Sequence, residues 1–447
     1  MSPIIFLFFL AQLGAQENVA HQAPLGEQIE SFARPLVERH DFSGAFAIRG
    51  PEGPVSVAVG FADLAHDVRN SVDTRFGIGS VSKQFTAALA LRLIEDGQLT
   101  LQDVAQDILP GLSGPAVTVH QLLAHRSGLA RDPLAFESQG KQFDRSELLD
   151  IISSLPREFA PGERTSYSNS GYIVLALIAE SVSGMRFCDL LHEEVLEPLG
   201  LQDTGCLSTS SVIPKLAQGY DPGLGPYRLR ASPFLEWSNL TGPGGLYSTV
   251  EDLAQWGQVM LDRTFLSPSS WEAFMTDHGN GRGYGIAQYT RHGHRAIGHD
   301  GVINGYTAFL EIYPENRSVV AYAGNIRAGA FELMENAVIG LTLGAPVNPP
   351  EAPSDLDTPV SFEEGAPVTG RYELFPGFHL TITWEADRLF LSGTGGYPTV
   401  LTTKADGDYF YRAMYATVRF EIDGENQELI WIDRGGQEYR AQRTSIH

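Results

Sequence analysis

The chain has 447 residues, with 54 Asp or Glu against 31 Lys or Arg, so its formal net charge is −23. Such an acidic chain repels polyanions, which excludes nucleic-acid binding through a broad basic surface. Its length and its 43% hydrophobic content predict two or three domains with large cores. Two cysteines, Cys188 and Cys206, are too few for a disulfide-built scaffold or a cysteine-rich metal module.

An apolar run, Ile4–Leu13, opens the chain and is too short to span a bilayer. Small residues up to Ala15 and then a polar segment follow it, so we predict a secretory signal over 1–15. The alternative is an N-terminal core strand. Export predicts a periplasmic or secreted protein with no stable membrane insertion after cleavage. It permits a bond between the two cysteines without requiring one.

Hydrophobic periodicity predicts strands near both ends of the first ~330 residues, with a mainly helical region between them. The predicted elements, in chain order, are helix Gln28–Arg39, strands Gly44–Arg49 and Val55–Phe61, helix Ser80–Glu95, the helical region Gln98–Met260, strands Tyr284–Thr290, Arg295–Gly298, Tyr306–Tyr313 and Ser318–Ala323, and helix Phe331–Leu343. The simplest arrangement is an α+β fold whose antiparallel sheet is built from both ends of this segment.

A proline-rich stretch, Gly344–Pro359, predicts a linker, and alternating strand patterns follow it. We therefore predict a first domain over 16–343, a linker over 344–365 and a small antiparallel β-barrel or sandwich over 366–447.

Ser80 and Lys83 are three residues apart at the start of a predicted helix. This spacing puts them on one face with Cβ atoms about 5–6 Å apart. An amine there can activate the serine hydroxyl, and the N–H groups of the helix start favour a developing oxyanion. The alternative is a serine that only caps the helix.

Two further motifs are Tyr167-Ser168-Asn169 and His299-Asp300-Gly301. The tyrosine can carry a proton, and the asparagine can hold a substrate amide or the lysine. Gly301, at the end of a predicted strand, lets a substrate backbone approach, and the Val302 N–H can be an oxyanion donor. The alternatives are a capped helix with a packed tyrosine and an ordinary Asp-Gly turn.

In this order the three motifs, Ser-x-x-Lys, Tyr-x-Asn and His-x-Gly, resemble the serine β-lactamase and penicillin-recognising hydrolase superfamily. The branch is the one with class C β-lactamases, D-aminopeptidases, D-Ala-D-Ala carboxypeptidases and esterases. The resemblance extends from about Gln28 to Leu343, and the segment from Val368 resembles the lipocalin-like barrel of some members. It implies an antiparallel sheet flanked by helices, a helical region, and a site in the cleft between them.

The resemblance also implies a role for each motif residue. Ser80 would be the acylated nucleophile, with Lys83 and Tyr167 sharing the base and acid roles. Asn169 would bind the substrate amide or steady Lys83. The N–H groups of Ser80 and Val302 would form the oxyanion hole.

His299 stands where family β-lactamases and carboxypeptidases usually carry lysine, and Asp300 replaces a small or hydroxyl residue. A histidine with an ordinary pKa is mostly neutral at pH 7, which weakens the case for carboxylate-bearing substrates. The hypothesis is therefore hydrolysis of a small ester or a D-amino-acid amide or peptide. The alternatives are a β-lactamase or D-Ala-D-Ala carboxypeptidase and, in another class, a catalytically weak ligand-binding or sensor protein.

The mechanism implies no cofactor and no metal; the partner is a small-molecule or peptide substrate. His292 and His294 are interpreted as the tip of a hairpin rather than as metal ligands. His125 is interpreted as structural support near the cleft.

Overall fold

The computed structural model describes residues 23–134, 140–223, 228–347, 355–356, 358–375, 378–393, 398–423, 426–434 and 436–444. The predicted signal at 1–15 and part of the predicted linker lie outside these ranges.

The helices and strands up to residue 343 follow the predicted order, with short strands inside the predicted helical region. The helices are α1 (Leu25–Glu38), α2 (Ser82–Glu95), α3 (Ala105–Ile108), α4 (Val119–Leu123), α5 (Arg145–Ser154), α6 (Asn169–Ser183), α7 (Phe187–Leu191), α8 (Val250–Asp262), α9 (Pro268–Met275) and α10 (Ala330–Thr342). The strands are β1 (Gly44–Arg49), β2 (Val55–Val59), β3 (Phe61–Asp63), β4 (Val68–Arg69), β5 (Phe76–Gly77), β6 (Gly205–Cys206), β7 (Tyr220–Pro222), β8 (Leu229–Ala231), β9 (Leu246–Ser248), β10 (Ala287–Arg291), β11 (His294–Ile303), β12 (Tyr306–Tyr313) and β13 (Ser318–Gly324).

The main sheet is antiparallel, in the order β10-β11-β12-β13-β1-β2. This sheet joins the two ends of the chain segment before residue 343, because β1 pairs with β13. The pairing runs from Gly44, opposite Gly324, to Arg49, opposite Val319. The predicted sheet built from both ends is thus confirmed.

Helices cover both faces of this sheet. The side chains of β1 show why, because they alternate between small and large and point to opposite faces. Ala45 and Ala47 point into a core shared with α2, α6 and α8, whereas Phe46 and Ile48 point into a second core shared with α1 and α10. Small residues on one face admit close-packed helices, and large ones fill the space under the other.

The C-terminal strands form a closed antiparallel barrel. Its elements are β14 (Asp355–Leu356), α11 (Phe362–Gly365), β15 (Gly370–Phe375), β16 (Phe378–Glu385), β17 (Arg388–Gly393), β18 (Thr399–Lys404), β19 (Tyr409–Tyr411), β20 (Ala416–Asp423), β21 (Asn426–Ile432) and β22 (Glu438–Thr444). The eight strands from β15 to β22 close through the pairings of β15 with β22 and of β18 with β19, while β14 pairs with β18 from outside. Buried side chains such as Tyr372, Leu391 and Trp431 occupy the interior, so it is a packed core.

Cys188 and Cys206 form a disulfide that joins α7 to β6, with Cα atoms 6.0 Å apart. The sequence left free thiols and a disulfide equally open, and the structure has the disulfide.

Candidate active site

The Ser80 turn differs from its prediction. The α-helix begins at Ser82, and Ser80 lies in a 3-10 turn, Gly79–Val81, that leads into it. Gly79 has a φ of +49°, in the left-handed region that favours glycine. A Cβ there would also lie 3.0 Å from the Val302 nitrogen, so this glycine brings the turn against β11.

Lys83 lies in the first turn of α2, and its side chain is completely buried. Its Nζ is 3.1 Å from Ser80 Oγ and donates to the Pro243 carbonyl at 2.8 Å. The predicted proximity of the two side chains therefore survives the change in the helix start.

Tyr167 directly precedes Ser168, which caps the N-terminus of α6: the Ser168 hydroxyl accepts from the Gly171 N–H at 3.0 Å. The capped helix predicted as an alternative is thus present. It nevertheless leaves Tyr167 facing Ser80, with its hydroxyl donating to Ser80 Oγ at 2.7 Å. Capping and placement of the phenol are consequences of the same local structure.

Burial shifts the two groups around Ser80 in opposite directions, because it penalises charge. It holds the pKa of Lys83 well below its usual range. It raises the pKa of Tyr167 well above its usual range. The neutral amine and the neutral phenol are therefore the favoured forms.

His125 supports Tyr167 from behind, as interpreted from the sequence. Its ring is buried and stacks on the phenol with centroids 4.6 Å apart, and Nδ1 accepts from the Ser168 N–H at 3.1 Å. Burial lowers the pKa of His125 well below its usual range, so this ring is neutral.

Asn169 does not contact Lys83. Its amide donates to Asp132 Oδ1 at 2.5 Å, whereas the Lys83 amine bonds to Ser80 and Pro243. Of the two predicted roles of Asn169, binding the substrate amide or steadying Lys83, neither is tested by these bonds, and both stay predictions. The amide group faces the cavity beside Ser80.

His299, Asp300 and Gly301 lie inside β11, not at its end as predicted. The edge of β11 pairs with β10 only as far as Gly298, opposite Ala287, and the following residues lie against the Ser80 turn. A Cβ on Gly301 would overlap the Ile78 carbonyl and lie 3.1 Å from the Ser80 nitrogen. Only glycine allows this approach, which brings the β11 backbone against the Ser80 turn.

His299 is buried, with its ring centroid 5.7 Å from that of Tyr167. Burial lowers its pKa to about 4, outweighing the opposing effect of Asp300. Because Nδ1 lies 2.5 Å from the Asp300 carbonyl, it carries the proton. Nε2 is then a buried acceptor, and it has no hydrogen-bond partner among the described residues.

Four charged residues near the site were missed by the sequence analysis; one of them, Arg327, lines the cavity. The guanidinium carbons of Arg131 and Arg282 each lie 5.0 Å from the centre of the Tyr167 ring. Asp132, with Arg131 Nε 3.5 Å from Oδ2, lines the cavity. No motif marked these residues, since their positions depend on tertiary packing.

A cavity of about 190 Å³ opens beside Ser80. Polar and apolar side chains both line this cavity. They include Asp132, Leu134, Asn169, Leu235, Asn239, Val302, Ile303, Asn304 and Arg327. This volume suits a small acyl group rather than a long chain.

His292 lies with Gly293 in the tight turn between β10 and β11, as predicted. His294, predicted at the same tip, is instead the first residue of β11 and pairs with Arg291. In the described part of the chain, no three His, Cys, Asp or Glu side chains gather as a metal site. Within the same ranges, no helix combines the length and apolar character needed to cross a membrane.

Comparison with known proteins identifies relatives over nearly the whole chain. The family model described as "Beta-lactamase" matches residues 29–343. Penicillin-binding protein 4* of Bacillus subtilis is 26% identical over 448 residues, covering 94% of this chain and 98% of that protein. A D-aminopeptidase of Brucella anthropi is 26% identical over 332 residues, covering 70% of this chain and 62% of the enzyme. The solved structure of an octameric penicillin-binding protein homologue from Pyrococcus abyssi has a TM-score of 0.63 at 23% identity, covering 94% of this chain and all of that one.

Proposed function

The chain belongs to the beta-lactamase family of serine hydrolases, and from that membership we propose that it hydrolyses a small ester or a D-amino-acid amide or peptide through an acyl-enzyme on Ser80. One observation carries the proposal. The Ser80 hydroxyl, at the mouth of a small cavity, has the Tyr167 hydroxyl 2.7 Å away and the buried Lys83 amine 3.1 Å away.

Acylation begins when the neutral Lys83 amine takes the proton of the Ser80 hydroxyl as Oγ attacks the substrate carbonyl. Burial favours this assignment, because it disfavours both the ammonium and the phenolate. The oxyanion that forms accepts hydrogen bonds from the Ser80 and Val302 N–H groups. The proton then passes through the Tyr167 hydroxyl to the leaving alcohol or amine.

Deacylation reverses these transfers with water in place of the leaving group. Water gives its proton to the same base as it attacks the acyl carbon, and the proton returns to Ser80 Oγ when the product acid leaves. The proposal needs only side chains and water.

Two features of the cavity support a D-amino-acid acyl group with a free amine. The Asp132 carboxylate faces the cavity and can pair with an ammonium group, while Asn169 holds it in place. In addition, His299 is neutral, so the third motif offers no cation to a substrate carboxylate. The D-aminopeptidase relative agrees with this choice.

The second candidate is a β-lactamase or D-Ala-D-Ala carboxypeptidase, and a different observation favours it. Arg131 and Arg282 place positive charge on the Tyr167 side of Ser80, where a leaving group that bears a carboxylate would lie. The penicillin-binding protein relative points the same way.

The test combines active-site labelling with a substrate panel. Intact-mass analysis after a fluorophosphonate probe is expected to show one adduct that Ser80→Ala abolishes and that the matched variant Ser82→Ala keeps. Turnover of p-nitrophenyl esters and D-alanine p-nitroanilide is expected to exceed that of L-alanine p-nitroanilide and nitrocefin. No adduct on folded protein would favour the binding or sensor protein, whereas dominant nitrocefin turnover would favour the second candidate.

We further propose export to the periplasm or medium, with cleavage after residue 15. The Cys188–Cys206 disulfide supports this proposal, because such bonds persist in oxidising compartments. The division into 16–343, 344–365 and 366–447 remains our proposal for the domains. Two short elements, β14 and α11, lie in the proposed linker.

A further inference from the structure

The loop between β19 and β20 of the barrel inserts a charged side chain between segments that precede residue 343. The Arg412 side chain is only 4% exposed, and Asp41, its partner, is completely buried. Tyr415 of the same loop donates to the second Asp41 oxygen at 2.6 Å, and Arg39 Nε lies 2.9 Å from that oxygen. Asp41 is thus held by one residue close to it in sequence and by two from the barrel.

The rest of the Arg412 guanidinium bonds to backbone carbonyls. Nη2 donates to the His40 carbonyl at 2.6 Å, and Nη1 donates to the Arg228 carbonyl at 2.7 Å. Arg228 directly precedes β8, and its carbonyl also accepts from the Gly223 N–H at 2.9 Å, next to the end of β7. A barrel side chain therefore holds the point where β7 and β8 come together.

The paired strands β7 and β8 in turn position one wall of the Ser80 cavity. Arg327, which lines the cavity, donates its N–H to the Tyr220 carbonyl at 2.9 Å and its Nε–H to Asp221 at 2.8 Å. Asp221 is buried in β7, so it fixes this guanidinium from below.

From these contacts we propose that Arg412 is a positioning residue for the substrate cavity, so that the barrel completes the cavity wall through β7, Asp221 and Arg327. The proposal assigns the barrel a part in substrate selection. Among the barrel residues that the structure describes, none lines the cavity beside Ser80. Arg412 acts only through the strand pair that it holds.

A second interface arginine separates this role from simple docking of the barrel. Arg434 donates to the Gly329 carbonyl at 3.1 Å and forms an ion pair with Glu332 at the start of α10. Neither of these contacts involves β7 or β8. Loss of Arg434 would weaken the same interface without releasing the cavity wall, which makes Arg434→Met a matched control.

The first measurement is hydrogen exchange on the full-length protein. In Arg412→Met we expect the backbone amides of Tyr220 and Leu229–Ala231 to exchange about tenfold faster, the change expected on losing a charge-assisted hydrogen bond. Arg412→Lys keeps a cation beside Asp41 but loses the fork that reaches Arg228, so it should fold and show the same local effect. Arg434→Met should leave these amides unchanged. Equal exchange in Arg412→Lys and the parent protein would overturn the proposal.

The second measurement is activity, and it rests on the proposed function. Arg412→Lys should raise KM for a p-nitrophenyl ester with a bulky acyl group about tenfold and leave kcat for p-nitrophenyl acetate unchanged. Unchanged KM values for both esters would count against a role in the cavity. If the parent protein hydrolyses neither the esters nor D-alanine p-nitroanilide but the exchange result holds, the proposed function fails and the positioning role stands.

Discussion

The Lys83 amine lies 3.1 Å from the Ser80 hydroxyl, at a depth in the protein where solvent does not reach it. This pairing has a consequence for pH dependence. Since burial lowers the pKa of Lys83, the amine is neutral at pH values where an ordinary lysine is charged.

We therefore expect kcat/KM to fall with a slope of one as pH decreases through the lowered pKa of Lys83, because the protonated amine cannot take the Ser80 proton. The measurement is a pH profile with p-nitrophenyl acetate. His299, with a pKa of about 4, is neutral above pH 5 and should not produce this limb. If the decrease of kcat/KM at low pH disappears in His299→Gln, the assignment of the base to Lys83 is contradicted.

Removal of the Tyr167 hydroxyl should reduce acylation. Tyr167→Phe keeps the ring that stacks on His125 but loses the proton carrier 2.7 Å from Ser80, so we expect kcat/KM to fall by about 10²–10⁴-fold. The matched control is Tyr172→Phe, which removes a buried hydroxyl that bonds to the Leu123 carbonyl. That variant should lose thermal stability and keep most of its activity. Similar kinetics for the two variants would argue against proton transfer through Tyr167.

The Asp132 carboxylate should select substrates with a free amine. Asp132→Asn keeps an acceptor for the Asn169 amide but removes the charge, so kcat/KM for D-alanine p-nitroanilide should fall about 10- to 100-fold. The N-acetylated substrate and p-nitrophenyl acetate should be unaffected. A uniform decrease for all three would mean that Asp132 acts by holding Asn169 rather than by binding an ammonium group.

Loss of the disulfide should affect stability without affecting chemistry. Cys188 and Cys206 are 18 positions apart, and a loop of this length predicts a loss of about 3 kcal/mol in the free energy of unfolding. Urea denaturation of Cys188→Ser/Cys206→Ser checks the value, with the oxidised and reduced parent protein beside it. Kinetics at 25 °C should be unchanged, because neither cysteine is among the residues around Ser80. A variant as stable as the oxidised protein would contradict the expectation.

The parts of the site that could be predicted from the sequence are those set by local geometry. Ser80 and Lys83 face one another because they are three residues apart in a helical turn, even though the α-helix starts two residues after Ser80. The link from this pair to Tyr167, 87 positions away, came from the resemblance to a family and not from local pattern.

What could not be predicted depends on contacts between distant segments. Asp132 is a half-exposed residue in a loop, and only the start of α6 brings it to the cavity. Arg412 is 371 positions from Asp41, and neither residue belongs to a recognisable motif. The extension of β11 through Gly301 was missed because Asp-Gly is also a common turn, and here close packing against the Ser80 turn keeps the strand extended.

The pairing of β1 with β13 also constrains how the polypeptide is made. Gly44 and Gly324 are roughly 280 positions apart. Closing a loop of that length costs about 5 kcal/mol of chain entropy, which the contacts of the completed sheet must offset. During synthesis β1 must wait until most of the chain has left the ribosome. The main sheet therefore closes late in synthesis, after the helical segments between β1 and β13 have already left the ribosome.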